Sequence, residues 1–301
     1  MLTDFICPDG QKVAITSCME QCRMGDRCLT KPTLRAVAKQ RTWNGIPSTT
    51  QLLRGTYEAM LMIKADYAEN PKEAMFKLLG TGVHKGLDDE ATDDTSLGES
   101  ELQRQVLDGV SGLADLLETE NGLNILTDYK VSGSFKIAKA LGLYWVPRET
   151  DEVYKARGSF TMPDGTKREM KPGDKKMEKE WRINYANQDC RDWVLQLNHY
   201  RLMIEATGRP VHMMRIQAIA RDGGTMAAAN WGIADRVYMI PIPILPDEEV
   251  KAYFDTKRDA LLAAMEKGDW DTKCDDNETW AGRKCEKFCN VAEFCKFMRP
   301  Q

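Results

Sequence analysis

Residues 121–134 read NGLNILTDYKVSGS. Asn-Gly suits the two left-handed positions of a type I′ turn, so Asn121-Gly122 predicts a tight hairpin. The residues after it, LNILTDYKV (123–131), read as a strand, whose successive side chains leave opposite faces. Asp128 and Lys130 therefore share one face, and Tyr129 takes the other. Upstream, GVSGLADLLE (109–118) reads as the partner strand. A two-residue turn sets Glu120 across from Leu123, and the same register sets Asp115 across from Asp128. Two carboxylates facing each other across a ladder repel. A cation between them removes the repulsion, and hard oxygen donors without sulfur favour Mg²⁺ or Mn²⁺. A solvated acidic edge carrying an ordinary ion pair is the competing reading, and the hairpin alone leaves both open.

The chain has 301 residues, enough for one large domain or two small ones. Its charged fraction of 29% and hydrophobic fraction of 42% are those of a soluble globular protein. With a formal net charge of −4, bulk electrostatics do not advertise nucleic-acid binding, so any phosphate-binding surface is a local patch. MLTDFICPDGQK at the N-terminus has neither a basic leader nor the apolar stretch of a secretory signal. The longest clearly apolar run, VYMIPIPIL (237–245), is too short to span a bilayer and holds two prolines. The expectation is a cytoplasmic protein without a membrane partner. In that compartment nine cysteines are more naturally metal ligands than disulfides.

Eight of those cysteines form two runs with one spacing. CPDGQKVAITSCMEQCRMGDRC holds Cys7, Cys18, Cys22 and Cys28, and CDDNETWAGRKCEKFCNVAEFC holds Cys274, Cys285, Cys289 and Cys295. Both follow C-x10-C-x3-C-x5-C. Each run is read as a four-thiolate metal module, and soft thiolates select zinc or iron–sulfur. Spacing decides neither between those metals nor whether each quartet closes on itself or exchanges a cysteine with the other. Tetrathiolate sites usually staple a fold and leave no open coordination position. Cys190 stands apart and is read as a core residue.

Between the runs, IPSTTQLLRGTYEAMLMI (46–63) reads as one amphipathic helix capped at Ser48/Thr49. PKEAMFKLLGTGVHKGLDD (71–89) reads as a helix opened by Pro71 and carrying His84, and DDEATDDTSLGES (88–100) as a solvated loop. Residues 132–188 look polar and irregular, with a hairpin at Pro163-Asp164-Gly165. The basic stretch TKREMKPGDKKMEKEWR (166–182) contains acids and is read as a solvated face rather than a phosphate track. CRDWVLQLNHYRLMIEATG (190–208) reads as a helix with Gln196 and Tyr200 on one face, VHMMRIQAIAR (211–221) as a strand, and PDEEVKAYFDTKRDALLAAMEKG (246–268) as a helix.

The ordered set GTGVH (80–84), GESELQ (98–103), GVSGLAD (109–115), DYK (128–130) and QLNHY (196–200) resembles the RecB-like branch of the PD-(D/E)XK nuclease superfamily. Phage exonucleases, CRISPR-associated RecB-like exonucleases and AddB-type subunits are similar in pattern. KCEKFCNVAEFC (284–295) resembles the C-terminal cysteine trio with which the last two groups hold an iron–sulfur cluster. The chain departs from that pattern in its first trio gap, three residues instead of two, and in having a full N-terminal quartet where the family has one cysteine.

The resemblance implies an α/β fold: a PD-(D/E)XK, restriction-endonuclease-like core at 45–268, with an insertion at about 132–188 and a cysteine-rich module at 1–44 and at 269–301. It implies that Asp115 and Asp128 hold Mg²⁺ or Mn²⁺, helped by the Tyr129 carbonyl, by His84 and, through water, by Glu101. Lys130 then orients the attacking water and stabilises charge on the scissile phosphate, while Gln196 and Tyr200 position the substrate strand or Lys130. A 4Fe–4S cluster is implied at the C-terminal cysteines, with Zn²⁺ as the alternative; the N-terminal site takes Zn²⁺ or an iron–sulfur cluster. The implied function is a DNA exonuclease of phage or bacterial recombination and repair, working in the bacterial or phage-infected cytoplasm. Its substrates are single- or double-stranded DNA ends, and its implied partner is a phage recombinase or annealing protein. An endonuclease of the same fold, and a non-catalytic DNA- or protein-binding module, are the alternatives.

Overall fold

A computed structural model describes residues 1–93 and 104–298. The chain opens with β1 (Leu2–Ile6), β2 (Lys12–Ala14), α1 (Ile15–Glu20), α2 (Lys31–Val37), α3 (Thr49–Leu52) and α4 (Thr56–Lys64). β3 (Tyr67–Glu69), α5 (Met75–Asp93), β4 (Gln105–Leu107), β5 (Val110–Gly112), β6 (Leu116–Glu120), β7 (Leu123–Ser132) and α6 (Ser134–Ala140) follow. Then come β8 (Leu143–Val153), β9 (Gly158–Thr161), β10 (Lys167–Met170), β11 (Lys175–Ile183) and α7 (Arg191–Glu205). β12 (Met213–Ala220), α8 (Met226–Ala229), β13 (Val237–Ile242), α9 (Asp247–Lys267), α10 (Asp276–Thr279) and α11 (Arg283–Lys287) complete the order. The result is a mixed α/β fold with several small sheets, the largest running β13-β12-β7-β6. Among the described residues, no helix is long and apolar enough to cross a membrane.

By contact, the chain divides into two compact units: Met1–Tyr129, Asp192–Arg215 and Pro241–Gln301 form one, and Lys130–Arg191 and Ile216–Ile240 the other. In the first, β1 pairs antiparallel with β2 and parallel with β3. Apolar residues of α4, including Tyr57, Met60 and Leu61, bury against Val250, Phe254 and Leu261 of α9. α9 carries three acids in its first turn and stops at Gly268 in the left-handed conformation, the ends its sequence predicts. In the second unit, β8 and β11 make a long antiparallel ribbon that sets Trp145 across from Trp181, and β9 and β10 form the hairpin expected at Pro163-Asp164-Gly165.

Four local expectations are corrected. Residues 132–188 contain regular structure, since α6, the ribbon and the hairpin occupy most of them. The helix expected over 46–63 is two helices, α3 and α4, broken at Gly55. A Cβ there would lie 2.2 Å from Cys274 Sγ, so close passage of the C-terminal segment requires glycine at the break. α3 keeps the predicted start, a reciprocal capping box between Ser48 and Gln51. α5 begins at Met75 rather than Pro71 and runs on through Asp93, into the stretch read as a loop. The strand read over 109–118 is β5 and β6, separated at 113–115.

Candidate functional site

The hairpin has the expected geometry. Asn121 and Gly122 both hold positive φ, 53° and 79°, as a type I′ turn requires. Glu120 pairs with Leu123, and the ladder continues to Leu116 with Thr127. The paired register stops there, and Asp115 stands just before β6. Asp115 Oδ2 accepts the Tyr129 backbone N–H at 2.8 Å, so the carboxylate is tied to the backbone immediately after Asp128. Its other oxygen, Oδ1, lies 3.1 Å from His84 Nδ1. His84 reaches this point from α5, its ring edge-on to Tyr129 with centroids 6.0 Å apart.

Asp128 is 1% exposed. Its Oδ1 accepts from Gln196 Nε2 at 3.3 Å, and the same amide nitrogen is 3.1 Å from the Tyr200 hydroxyl. Gln196 and Tyr200, one helical turn apart on α7, thus form a short chain leading to the aspartate. Burial, with Asp128 close by, pushes the Tyr200 phenol well above its ordinary pKa, and it stays protonated. Gly112 allows this packing: a Cβ there would lie 2.5 Å from Met203 Sδ and 2.9 Å from Tyr200 Cε1. On the neighbouring turn of α7, buried His199 stacks on Phe254 with centroids 4.0 Å apart, and its Nδ1 is 2.8 Å from Thr49 Oγ1. Burial lowers its pKa to about 4, so this imidazole is neutral and structural.

Two contact sets thus meet at successive residues of β7: Asp115 and His84 at the Tyr129 backbone, and Gln196 and Tyr200 at Asp128. Lys130 stands two residues beyond Asp128 on β7, partly exposed. Glu101 lies outside the described residues. Arg215 on β12 escaped sequence reading. Its Nε donates to Thr127 Oγ1 at 3.0 Å, and its Nη2 pairs with Glu118 and with Glu120 at 3.1 Å. Thr127 and Glu118 alternate with Asp128 and Asp115 along their strands, so this cluster neutralises the other face of the hairpin. The signal for Arg215 was weak: one arginine in a mostly apolar strand.

The two cysteine runs make separate features. Cys7, Cys18, Cys22 and Cys28 line one pocket, and Cys274, Cys285, Cys289 and Cys295 line another. None of the eight is in a disulfide, and Cys190 is buried, as read. Burial raises the Cys274 pKa to about 11 and also raises those of Cys18, Cys285 and Cys289. Beside the second pocket, buried Glu58 takes the Lys284 ammonium at 2.6 Å and Arg54 at 3.3 Å. Among the described residues, no three His, Cys, Asp or Glu side chains stand ready to hold an ion as they are placed.

No family model matches the chain, and no curated protein matches it. One solved structure, the crystal structure of SSO0001, aligns at 14% identity and a TM-score of 0.45, covering 90% of this chain and 95% of that one. A likeness of that size carries no argument about function.

Proposed function

We propose that the protein is a divalent-metal-dependent deoxyribonuclease on a PD-(D/E)XK-type core, acting as an exonuclease from DNA ends. The carrying observation is that Asp115 accepts the backbone N–H of Tyr129, the residue after Asp128, with His84 against Asp115 and Gln196 against Asp128. Two such carboxylates repel unless positive charge sits with them. Drawn in to ligand distance, two carboxylates, the Tyr129 carbonyl and one imidazole nitrogen would suit a hard divalent ion, with Mn²⁺ as natural as Mg²⁺. Bound there, such an ion acidifies water and offsets charge building on the phosphate.

The chain's own residues supply the rest. Asp115 and Asp128 provide the anionic oxygens, and their bonds to the Tyr129 N–H and the Gln196 amide fix how those oxygens point. Lys130, carried on the same strand as Asp128, provides an ammonium to orient water and oppose phosphate charge. Tyr200 holds Gln196 in place through a phenol that keeps its proton.

The test is an assay on end-labelled single- and double-stranded DNA with Mn²⁺, Mg²⁺ or chelator. Cleavage is expected with either metal and none with chelator. Asp128→Ala or Lys130→Ala should lower the rate by about a thousandfold or more with an unchanged circular dichroism spectrum. Full activity in a folded Asp128→Ala protein, or DNA binding without cleavage at any metal concentration, refutes the reading.

A further inference from the structure

The two cysteine runs share a spacing but occupy different surroundings. No cysteine lines both pockets, so each quartet gathers around its own centre. In the N-terminal one, Cys7 follows β1, Cys18 lies on α1, and Cys22 and Cys28 flank the turn between them. Arg27 pins that turn: its guanidinium donates to the carbonyls of Cys18, Met19 and Glu20. Cys22 Sγ approaches Asp26 O at 3.1 Å, and Arg23 is ion-paired with Asp9, two residues from Cys7. Two guanidiniums therefore stand among four sulfurs whose complex with a divalent ion would be anionic.

The C-terminal sulfurs sit differently. Cys274, Cys289 and Cys295 pack against the larger apolar core, beside the buried Glu58–Lys284 pair. All eight cysteines are partly exposed, but in the N-terminal quartet only Cys18 packs against an apolar cluster, a small one around Phe5, Leu34 and Val37. An apolar shell matters greatly to an iron–sulfur cluster, whose potential and persistence depend on it, and little to a redox-inert zinc ion.

We propose that the N-terminal quartet is a complete tetrathiolate centre, independent of the C-terminal one, and that it takes a tetrahedral zinc-class ion. Ligation asks the four sulfurs to close from lining the pocket to ligand spacing. Rotation about χ1 of partly exposed cysteines supplies this, and the ion's binding energy offsets its cost. The proposal holds whether or not the hairpin cleaves DNA.

Elemental analysis of the full-length protein, purified without oxygen, should give one zinc per chain beyond the metal held by the C-terminal quartet. A Cys22→Ser/Cys28→Ser double variant should lose that zinc and keep the other metal, and Cys285→Ser/Cys289→Ser should do the reverse. Cobalt loaded into the N-terminal site should show tetrahedral ligand-field bands with sulfur-to-metal charge transfer. If the serine variants fail to fold, alkylation of the native protein decides: Cys7, Cys18, Cys22 and Cys28 should be shielded until a strong chelator is added. Simultaneous loss of both metals from either double variant while folded, iron and sulfide released by the N-terminal variant, or unshielded N-terminal thiols in the metal-loaded protein would each overturn the proposal.

Discussion

At the residue scale, the acidic pair and its supports make separable predictions. Gln196 touches Asp128 rather than any reacting atom, so it is a positioning residue. Gln196→Ala removes the amide that holds Asp128 Oδ1. Cleavage should fall by roughly ten- to a hundredfold and the Mn²⁺ concentration for half-maximal rate should rise, with the melting temperature little changed. A rate loss with an unchanged metal requirement would remove this role. His199 makes a prediction about stability. Burial lowers its pKa from 6.5 to about 4, so between these values the unfolded chain binds a proton that the folded chain does not. Its contribution is intact above pH 6.5, falls as pH drops through the window, and is gone below about 4. The shift corresponds to at most about 3 kcal/mol. Thermal melts from pH 7 to pH 4 should therefore fall more steeply in the native protein than in His199→Gln, which keeps an acceptor for Thr49. Parallel pH profiles would exonerate His199.

At the element scale, legibility followed the reach of the forces involved. The hairpin was readable because its turn chemistry is local: Asn121 and Gly122 demand positive φ whatever surrounds them, and the register follows. The long helix α9 was readable from its acids and Gly268 for the same reason. The break at Gly55 was hidden because its cause is Cys274, more than two hundred residues away. The ribbon of β8 and β11 was hidden because it belongs to a two-stranded sheet whose outward residues are charged on both faces, so no apolar alternation marks it. His84, Asp115, Asp128, Gln196 and Tyr200 could be named from a resemblance, but Gly112, which seats Tyr200, shows its purpose only in three dimensions. Gly55 offers the sharper test. Gly55→Ala puts a methyl where the Cys274 sulfur lies, so Cys274 must withdraw from its quartet. The expected result is a folded but less stable protein that loses the C-terminal metal and keeps the N-terminal one, measured by elemental analysis. Retention of both metals would mean that Cys274 is no ligand.

At the scale of the whole molecule, the two thiolate modules join the distant ends of one compact unit. β1 pairs with β2 inside the first module and with β3 outside it, and Asn290 of the second module donates to Glu69 of β3 at 3.1 Å. Lys12 of β2 reaches Glu293, between Cys289 and Cys295, at 2.7 Å. Helices as short as α1, α10 and α11 bury little apolar surface and would not persist alone, so the energy that orders both ends has to come from elsewhere. The proposed metal–thiolate centres would supply it, because ligands dispersed in the unfolded chain hold an ion far less well than a formed quartet does. Stripping the metals under reducing conditions should therefore lower the melting temperature by about 10 °C or more. In hydrogen exchange, amide protection should disappear first in residues 1–37 and 270–298, while the β8–β11 ribbon, which contains none of the eight cysteines, keeps its protection. Calorimetry and exchange on stripped and reloaded protein check both. An unchanged melting temperature would show that apolar packing alone orders the chain ends and that the quartets contribute nothing to the fold.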